Sequence, residues 1–162
     1  MAPAATPVAG SRTDRCMKTV HKSVLIWYSP EEMFALVTGV EHYPRFLPWC
    51  DHAGVLERSD QGMTAEVGIS LGGLRQTFVT RNQHEPGRRV QMHLVKGPFS
   101  RLDGDWHFHP VGDGGQRACK VELLLHYGFD NAALAALVGP VFDKIAGSMV
   151  DAFVKRAEQV YG

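Results

Sequence analysis

Hydrophobic and polar residues alternate with a period of two along most of this chain. Alternation of this kind predicts half-buried β-strands, in which successive side chains point to opposite faces. The segments that alternate, or that are rich in β-branched and aromatic residues, are 19–27, 53–58, 64–71, 75–84, 89–96, 102–110 and 117–129. Turn sequences such as Gly72-Gly73 and Pro86-Gly87 separate the later segments, so those strands are predicted to be antiparallel neighbours.

Helical signals stand between the first two of these segments. Residues 29–32 (SPEE) combine a serine N-cap, a proline at the first helical position and a glutamate three residues after the cap. This capping box predicts a helix, which ends at Gly39. A second short helical turn is predicted over 41–47, where Pro44 interrupts it.

The hydrophobic period becomes helical from Asn131 to the C-terminus. Because Gly139-Pro140 interrupts this pattern, it predicts a short helical piece over 131–138 and a main helix from Pro140. One long helix with seven strands predicts an α+β helix-grip (START-like) fold, in which a curved antiparallel sheet wraps around the C-terminal helix. Two short helices then lie between strands 1 and 2.

Length and composition place these elements in one domain. The chain has 162 residues, a usual size for a single domain. Residues 1–16 (MAPAATPVAGSRTDRC) lack hydrophobic periodicity, so we expect a disordered leader followed by one domain over 17–162. No apolar run reaches the roughly 18 residues that a membrane-spanning helix needs, so any membrane contact is expected to be peripheral.

Charge limits the class of partner, and cysteine content indicates the cellular compartment. The 17 basic residues equal the 17 acidic ones, so no overall positive field favours DNA. The middle strands are nevertheless locally basic, through Arg75, Arg81, Arg88, Arg89, Lys96 and Arg101. The three cysteines are far apart and form no CxxC pair, which is typical of a protein in the reducing cytoplasm.

The strand over 102–110 gives the strongest indication of a ligand site. Alternation places on one face Leu102, Gly104, Trp106 and Phe108. A glycine among large aromatic residues leaves open space, so we predict a hollow between the sheet and the C-terminal helix. Apolar side chains at this spacing can equally fill a solid core.

Three polar residues are predicted to turn toward the same hollow: Thr80, Asn82 and Tyr127. Ligand cavities are largely apolar with a few polar groups, which suits this set. An inward asparagine needs a hydrogen-bond partner, supplied either by the protein or by the polar end of a ligand.

Two groups of residues have side chains of the kind that catalyse reactions or bind metals, but neither group forms a complete site. His107 and His109 have the H-x-H spacing of a zinc site. Because they alternate with aromatic residues that are predicted to point inward, both histidines are predicted to point to solvent, and no third ligand is evident nearby. Cys50 and His52 could share a face, yet no basic group or helix N-terminus lowers the pKa of that thiol. No acid–base pair of carboxylates stands out either, so we predict no catalytic residue and no metal site.

Four groups of residues, in order and spacing, carry a family resemblance. They are Tyr43-Pro44-Arg45-Phe46-Leu47-Pro48-Trp49-Cys50, Thr80-Arg81-Asn82, Gly97-Pro98-Phe99 with the alternating series from Leu102 to Pro110, and a helical series from Gly139 through Phe153 to Tyr161. Together they resemble the coenzyme Q-binding and ribosome association toxin (RatA) family of the START-like polyketide cyclase superfamily. The resemblance extends from about Met17 to the C-terminus.

This resemblance implies a helix-grip fold with a hydrophobic tunnel that binds ubiquinone or a polyprenylated precursor, in support of respiratory electron transport. For RatA-like members it implies instead association with the large ribosomal subunit and blocked joining of subunits. A polyketide cyclase or aromatase would need an acid–base residue inside the tunnel, for which Asn82 and Tyr127 are a thin basis. We therefore expect a non-enzymatic binder of a ubiquinone-like lipid with no required cofactor, and ribosome association as the alternative.

The residues expected to contact the ligand form an entrance and a tunnel. The entrance comprises Tyr43, Phe46, Leu47 and Trp49. The tunnel comprises Phe78, Thr80, Asn82, Met92, Phe99, Leu102, Trp106, Phe108, Tyr127, Phe142, Ile145, Met149 and Phe153. Pro140 departs from the family pattern, in which the helix runs on, and predicts a stiffer junction there.

Overall fold

A computed structural model describes residues 17–162, so the leader predicted over 1–16 lies outside the described residues. Seven strands form one sheet in the order β1-β7-β6-β5-β4-β3-β2, with every neighbouring pair antiparallel. The strands are β1 (Lys18–Ile26), β2 (Cys50–Ser59), β3 (Gly62–Leu71), β4 (Leu74–Glu85), β5 (Arg89–Lys96), β6 (Arg101–Pro110) and β7 (Cys119–Gly128). The helix-grip prediction is confirmed, and the strand ends differ from the predicted ones by up to three residues.

Two short helices lie between β1 and β2, as predicted: α1 (Pro30–Thr38) and a 3₁₀ helix (Val40–Arg45). The capping box is present, because Ser29 Oγ accepts a hydrogen bond from the Glu32 amide at 3.1 Å and the Ser29 amide donates to Glu32 Oε1 at 2.9 Å. α1 ends at Gly39, also as predicted.

The C-terminal helix, α2 (Ala132–Tyr161), is continuous, so the predicted break at Pro140 was wrong. Asn131 caps its first turn by accepting a hydrogen bond from the Leu134 amide at 2.9 Å. A proline inside a helix costs about 3 kcal/mol. Val138 and Phe142 are nevertheless buried on either side of Pro140, so packing against the sheet holds the helix together through it.

α2 is also long and apolar enough to cross a membrane by length and composition, which the sequence analysis did not anticipate. In this fold its apolar face is the central part of the core. Phe142, Ile145 and Phe153 are almost fully buried between α2 and the inner face of the sheet.

Polar contacts attach α2 to its neighbours at two places. In the first half of the helix, Asp143 accepts hydrogen bonds from Tyr127 on β7 and Lys18 on β1. At its end, the Tyr161 hydroxyl donates to the Glu32 carbonyl at 2.9 Å. These contacts join α2 to β1, β7 and α1.

Candidate ligand-binding cavity

A cavity of about 70 Å³ lies between the inner face of the sheet and α2. The strands β3 to β7, the segment around the 3₁₀ helix and the middle of α2 all contribute to its wall. The lining residues are Val40, Tyr43, Trp49, Ala65, Val67, Phe78, Thr80, Asn82, Met92, Leu102, Trp106, Leu123, Leu125, Phe142, Ile145, Met149 and Phe153. Most of these side chains are apolar, which is typical of sites for hydrophobic molecules.

Twelve of the residues proposed from the sequence line this cavity. They are Tyr43, Trp49, Phe78, Thr80, Asn82, Met92, Leu102, Trp106, Phe142, Ile145, Met149 and Phe153. They come from five separate stretches of the chain. The antiparallel pairing of the strands, with α2 packed against the inner face of the sheet, brings them together.

Five proposed residues lie outside the lining: Phe46, Leu47, Phe99, Phe108 and Tyr127. Leu47 is fully buried in the core, and Phe99 stacks on Phe129 with ring centroids 5.3 Å apart. Phe108 lies parallel to Trp106, on the side of that ring that faces α1. Alternation gave the inward direction of Phe108 and Tyr127, but it did not give their depth in the core.

Tyr127 differs from its predicted role as a polar group of the cavity. Its hydroxyl donates to the Asp143 carboxylate, and its ring meets that of Phe142 at a centroid distance of 4.6 Å. Burial, and next the hydrogen bond to Asp143, raise the pKa of this phenol. Tyr127 therefore serves the attachment of α2 to the sheet.

The sequence analysis did not propose five lining residues: Val40, Ala65, Val67, Leu123 and Leu125. Period-two alternation already turns the four strand residues toward the core, but nothing in the sequence separates cavity wall from ordinary core. Val40 begins the 3₁₀ helix and reaches the cavity only because that helix folds over the edge of the sheet.

The polar part of the wall is a pair of side chains on β4. The Thr80 hydroxyl donates to Asn82 Oδ1 at 2.8 Å, and both residues are buried. Because Thr80 satisfies the amide oxygen of Asn82, the Nδ2 group of Asn82 is the donor left for an occupant of the cavity.

The space predicted above Gly104 is filled by Met92. A Cβ atom added to Gly104 would lie 2.3 Å from the terminal methyl carbon of Met92, its direct cross-strand partner. Methionine is flexible and adapts to irregular gaps. The open volume therefore lies beside Met92, and movement of that side chain would enlarge it.

Three aromatic rings close the cavity between the 3₁₀ region and α2. The ring centroids of Tyr43 and Phe153 are 5.5 Å apart, those of Phe46 and Phe153 are 5.3 Å apart, and those of Tyr43 and Phe46 are 6.0 Å apart. The Arg156 guanidinium lies 5.1 Å above the Phe46 ring, on the outer side. We call these three rings the aromatic closure.

The lining carries no carboxylate, histidine, lysine or thiol in the part of the chain that the structure describes. Burial raises the pKa of the Tyr43 phenol, which donates to the Val37 carbonyl. Such a group is not suited to proton transfer near neutral pH.

The reactive-residue candidates stay apart from the cavity centre. Burial raises the pKa of Cys50 to about 11, and its Sγ donates to the His52 carbonyl at 3.3 Å. His107 and His109 stack at 5.4 Å on the outer face and contact different carboxylates, Asp105 and Glu122. Over residues 17–162, no group of three histidine, cysteine or acidic residues has a metal-binding arrangement.

Solved structures share this fold. The Zhui aromatase/cyclase from Streptomyces superposes with a TM-score of 0.78, covering 90% of this chain and 96% of that one, at 14% identity. At such low identity the likeness concerns the fold alone.

Known proteins also share its sequence. The ribosome association toxin RatA of Vibrio cholerae is 44% identical over 146 residues, which are 90% of this chain and 99% of the toxin. The mitochondrial coenzyme Q-binding protein COQ10 homolog B of Xenopus laevis is 26% identical, over 98% of this chain and 64% of that protein. The family model described as polyketide cyclase / dehydrase and lipid transport matches residues 26–154. This chain belongs to that family.

Proposed function

We propose that this chain is a non-enzymatic binder of a hydrophobic small molecule, and that the ligand is ubiquinone or a polyprenylated precursor. The observation that carries the proposal is the cavity itself, which is apolar except for the Thr80–Asn82 pair in its wall. The coenzyme Q-binding name of the Xenopus laevis relative supports the same ligand class.

The chemistry of the wall favours a ligand with a carbonyl oxygen. Asn82 Nδ2 is a donor, and a quinone oxygen is an acceptor of the matching kind. The isoprenoid tail would gain about 25 cal/mol for each Å² of apolar surface removed from water. One hydrogen bond would then orient the ring while burial of the tail supplies most of the affinity.

The size of the cavity requires an opening step. Sites for small organic molecules usually measure roughly 300–1,000 Å³, whereas this cavity measures about 70 Å³. A quinone ring would fit only after the aromatic closure separates and flexible side chains such as Met92 and Met149 move. Binding of a quinone would therefore require these side chains to move.

The test is organic extraction of the gently purified protein from a ubiquinone-producing host, followed by mass spectrometry. Ala65→Leu adds three carbon atoms at a lining position, so it should fill the cavity and abolish co-purification of quinone. Ala136→Leu makes the same change at an exposed position of α2 and should retain the quinone. An empty wild-type protein, or equal quinone in both variants, would contradict the proposal.

Phe153→Arg would also change the cavity wall, because Phe153 is a lining residue. The structure makes that variant less informative. Phe153 is 1% exposed and contacts Tyr43, Phe46 and Trp106, so an arginine would bury a charge. Ala65→Leu avoids this cost.

We propose association with the large ribosomal subunit in the cytoplasm as the second candidate function, and one observation favours it. The RatA relative is 44% identical over 90% of this chain, against 26% for the coenzyme Q-binding relative. The basic strand face is less positive than its sequence indicates, because Arg89 and Arg101 bond Asp105 and Asp103. Arg81 has no such partner among the ion pairs of residues 17–162 and is the better probe.

The test is co-sedimentation with purified large subunits across a salt series. Binding through basic residues should weaken as salt rises, and Arg81→Glu should weaken it further, with a smaller effect from Arg101→Glu. Absence of co-sedimentation at low salt would remove this candidate. The extraction experiment and this one have separate readouts, so each function can fail without the other.

A further inference from the structure

Two of the three register shifts among the described strands shape one part of the outer face of the sheet. The register between β2 and β3 shifts between Val55 and Glu57, which makes Leu56 the additional residue in β2. The register between β4 and β5 pairs Val79 with Lys96 and Thr80 with Leu94, which makes Val95 the additional residue in β5. Bulges redirect side chains that regular alternation would point elsewhere.

The two additional residues project on the same side of the sheet. Leu56 is 59% exposed and Val95 is 54% exposed, and both line one shallow groove whose floor is the buried Val79. Thr64 and Glu66 also line it, and on β3 they alternate with Ala65, a residue of the cavity wall. The groove is therefore on the face opposite the cavity, and we call it the outer groove.

Charge is divided across the outer groove. Glu57 follows Leu56 on one wall, and Lys96 follows Val95 on the other wall. Glu66 on β3 adds a second acid on the first side. Arg81, which pairs with Thr64 from β4, adds a second base on the other side.

These charges have no partners within the described part of the chain. None of Glu57, Glu66, Arg81 and Lys96 takes part in an ion pair there. One wall thus carries an apolar residue beside an acid, and the opposite wall an apolar residue beside a base. After a two-fold rotation, the acidic wall of one copy would therefore face the basic wall of a second copy, with apolar residues opposite each other.

We propose that the outer groove is an interface between two copies of this chain. A two-fold axis through the groove would place Leu56 against Val95 of the second copy and Glu57 beside its Lys96. Nucleic acid and anionic membranes fit the groove itself less well, because its Glu57 and Glu66 would face phosphate groups, whereas Arg81, the probe for ribosome binding, is not among the residues that line it. The cavity and its aromatic closure stay accessible in such a dimer, because they are on the other side of the sheet.

The size of the groove sets the expected strength of the dimer. Its walls on β2 and β5 are three strand spacings apart, which is about 14 Å. Stable interfaces bury roughly 800 Å² on each partner, and a patch of this width is smaller. The dimer should therefore be weak and concentration-dependent.

The first test is sedimentation velocity from micromolar to near-millimolar protein. Wild type should change from monomer to dimer over this range, and Leu56→Glu should stay monomeric. Leu25→Glu is the matched control, because Leu25 is also 59% exposed and lies on β1 at the far edge of the sheet. A wild type that is monomeric throughout, or a dimer that Leu56→Glu leaves intact, would overturn the proposal.

A charge swap tests the pairing itself. Glu57→Lys and Lys96→Glu should each weaken the dimer, because like charges then meet across the two-fold axis. The double variant Glu57→Lys/Lys96→Glu should restore it. If the double variant is as weak as the single ones, the two residues do not meet and the proposed geometry is wrong.

Discussion

The Thr80 hydroxyl donates a hydrogen bond of 2.8 Å to the amide oxygen of Asn82, and both side chains stand in the wall of the cavity. The two residues are on the same face of β4, separated by Arg81 on the outer face. This bond determines which atom of Asn82 is left to meet a ligand. Each side chain is also the hydrogen-bond partner of the other, so replacing either one leaves a buried polar group without that partner.

Replacing Thr80 by valine should destabilise the protein. The change keeps the shape of the side chain but leaves Asn82 Oδ1 buried without its donor, at a cost of about 1–3 kcal/mol. Urea unfolding measures this difference. Thr80→Ser keeps the hydroxyl and should retain most of the stability; equal losses in both variants would show that the methyl group, and not the bond, matters.

Replacing Met92 by alanine should enlarge the cavity, because Met92 fills the space above Gly104. Removing a fully buried methionine side chain costs about 2–5 kcal/mol, and Met92 is half-buried, so its loss should cost no more than the lower end of that range. An apolar cavity of sufficient size binds benzene, and a ligand that binds the folded state raises its melting temperature. Benzene should therefore raise the Tm of Met92→Ala more than that of wild type.

Met63→Ala is the control for this experiment. Met63 is a buried methionine on β3 that does not line the cavity. Its variant should lose stability without the same benzene effect. Equal benzene shifts in the two variants would show that Met92 does not limit the cavity.

His84 should make the protein less stable in mild acid. Its Nε2 atom is buried without a hydrogen-bond partner among the described residues, and its ring meets Phe34 at 5.7 Å. Burial, and next the charge of Arg58, lower the pKa of this imidazole. The unfolded chain then binds the proton more readily, so stability is full above about pH 6.5 and falls as the pH drops below it.

Urea unfolding between about pH 5 and 8 measures this effect. His84→Leu should flatten the profile, whereas His42→Leu, at an exposed histidine of the 3₁₀ helix, should follow wild type. The Arg117 hydrogen bonds lower the pKa of Glu32 to about 2, so its contribution is lost only at more acidic pH. A wild-type profile that His84→Leu leaves unchanged would contradict the assignment.

Tyr127→Phe should weaken the attachment of α2 to the sheet without changing ligand binding. The variant loses the hydrogen bond to Asp143 and should be less stable by about 1–3 kcal/mol. Co-purified quinone should be unchanged, because Tyr127 is outside the cavity lining. Loss of quinone at unchanged stability would return Tyr127 to the cavity role that its sequence position predicts.

The sequence by itself determined the elements of this fold and their order. The alternation of the seven segments, the capping box at Ser29 and the turn glycines are local signals, read within a few residues. They also gave the inward direction of Trp106 and the apolar face of the last helix. Ten of the residues proposed on strands and on this helix line the cavity for this reason, whereas Tyr43 and Trp49 were proposed from the family resemblance.

Only the tertiary structure decided how deep each side chain lies in the core, how large the cavity is and whether the last helix continues through Pro140. Packing of Val138 and Phe142 on the sheet outweighs the local preference of proline to end a helix. Met92 fills the space that Gly104 leaves, and the bulges at Leu56 and Val95 turn apolar residues outward. These outcomes depend on contacts between residues far apart in the chain, whose energies no local pattern contains.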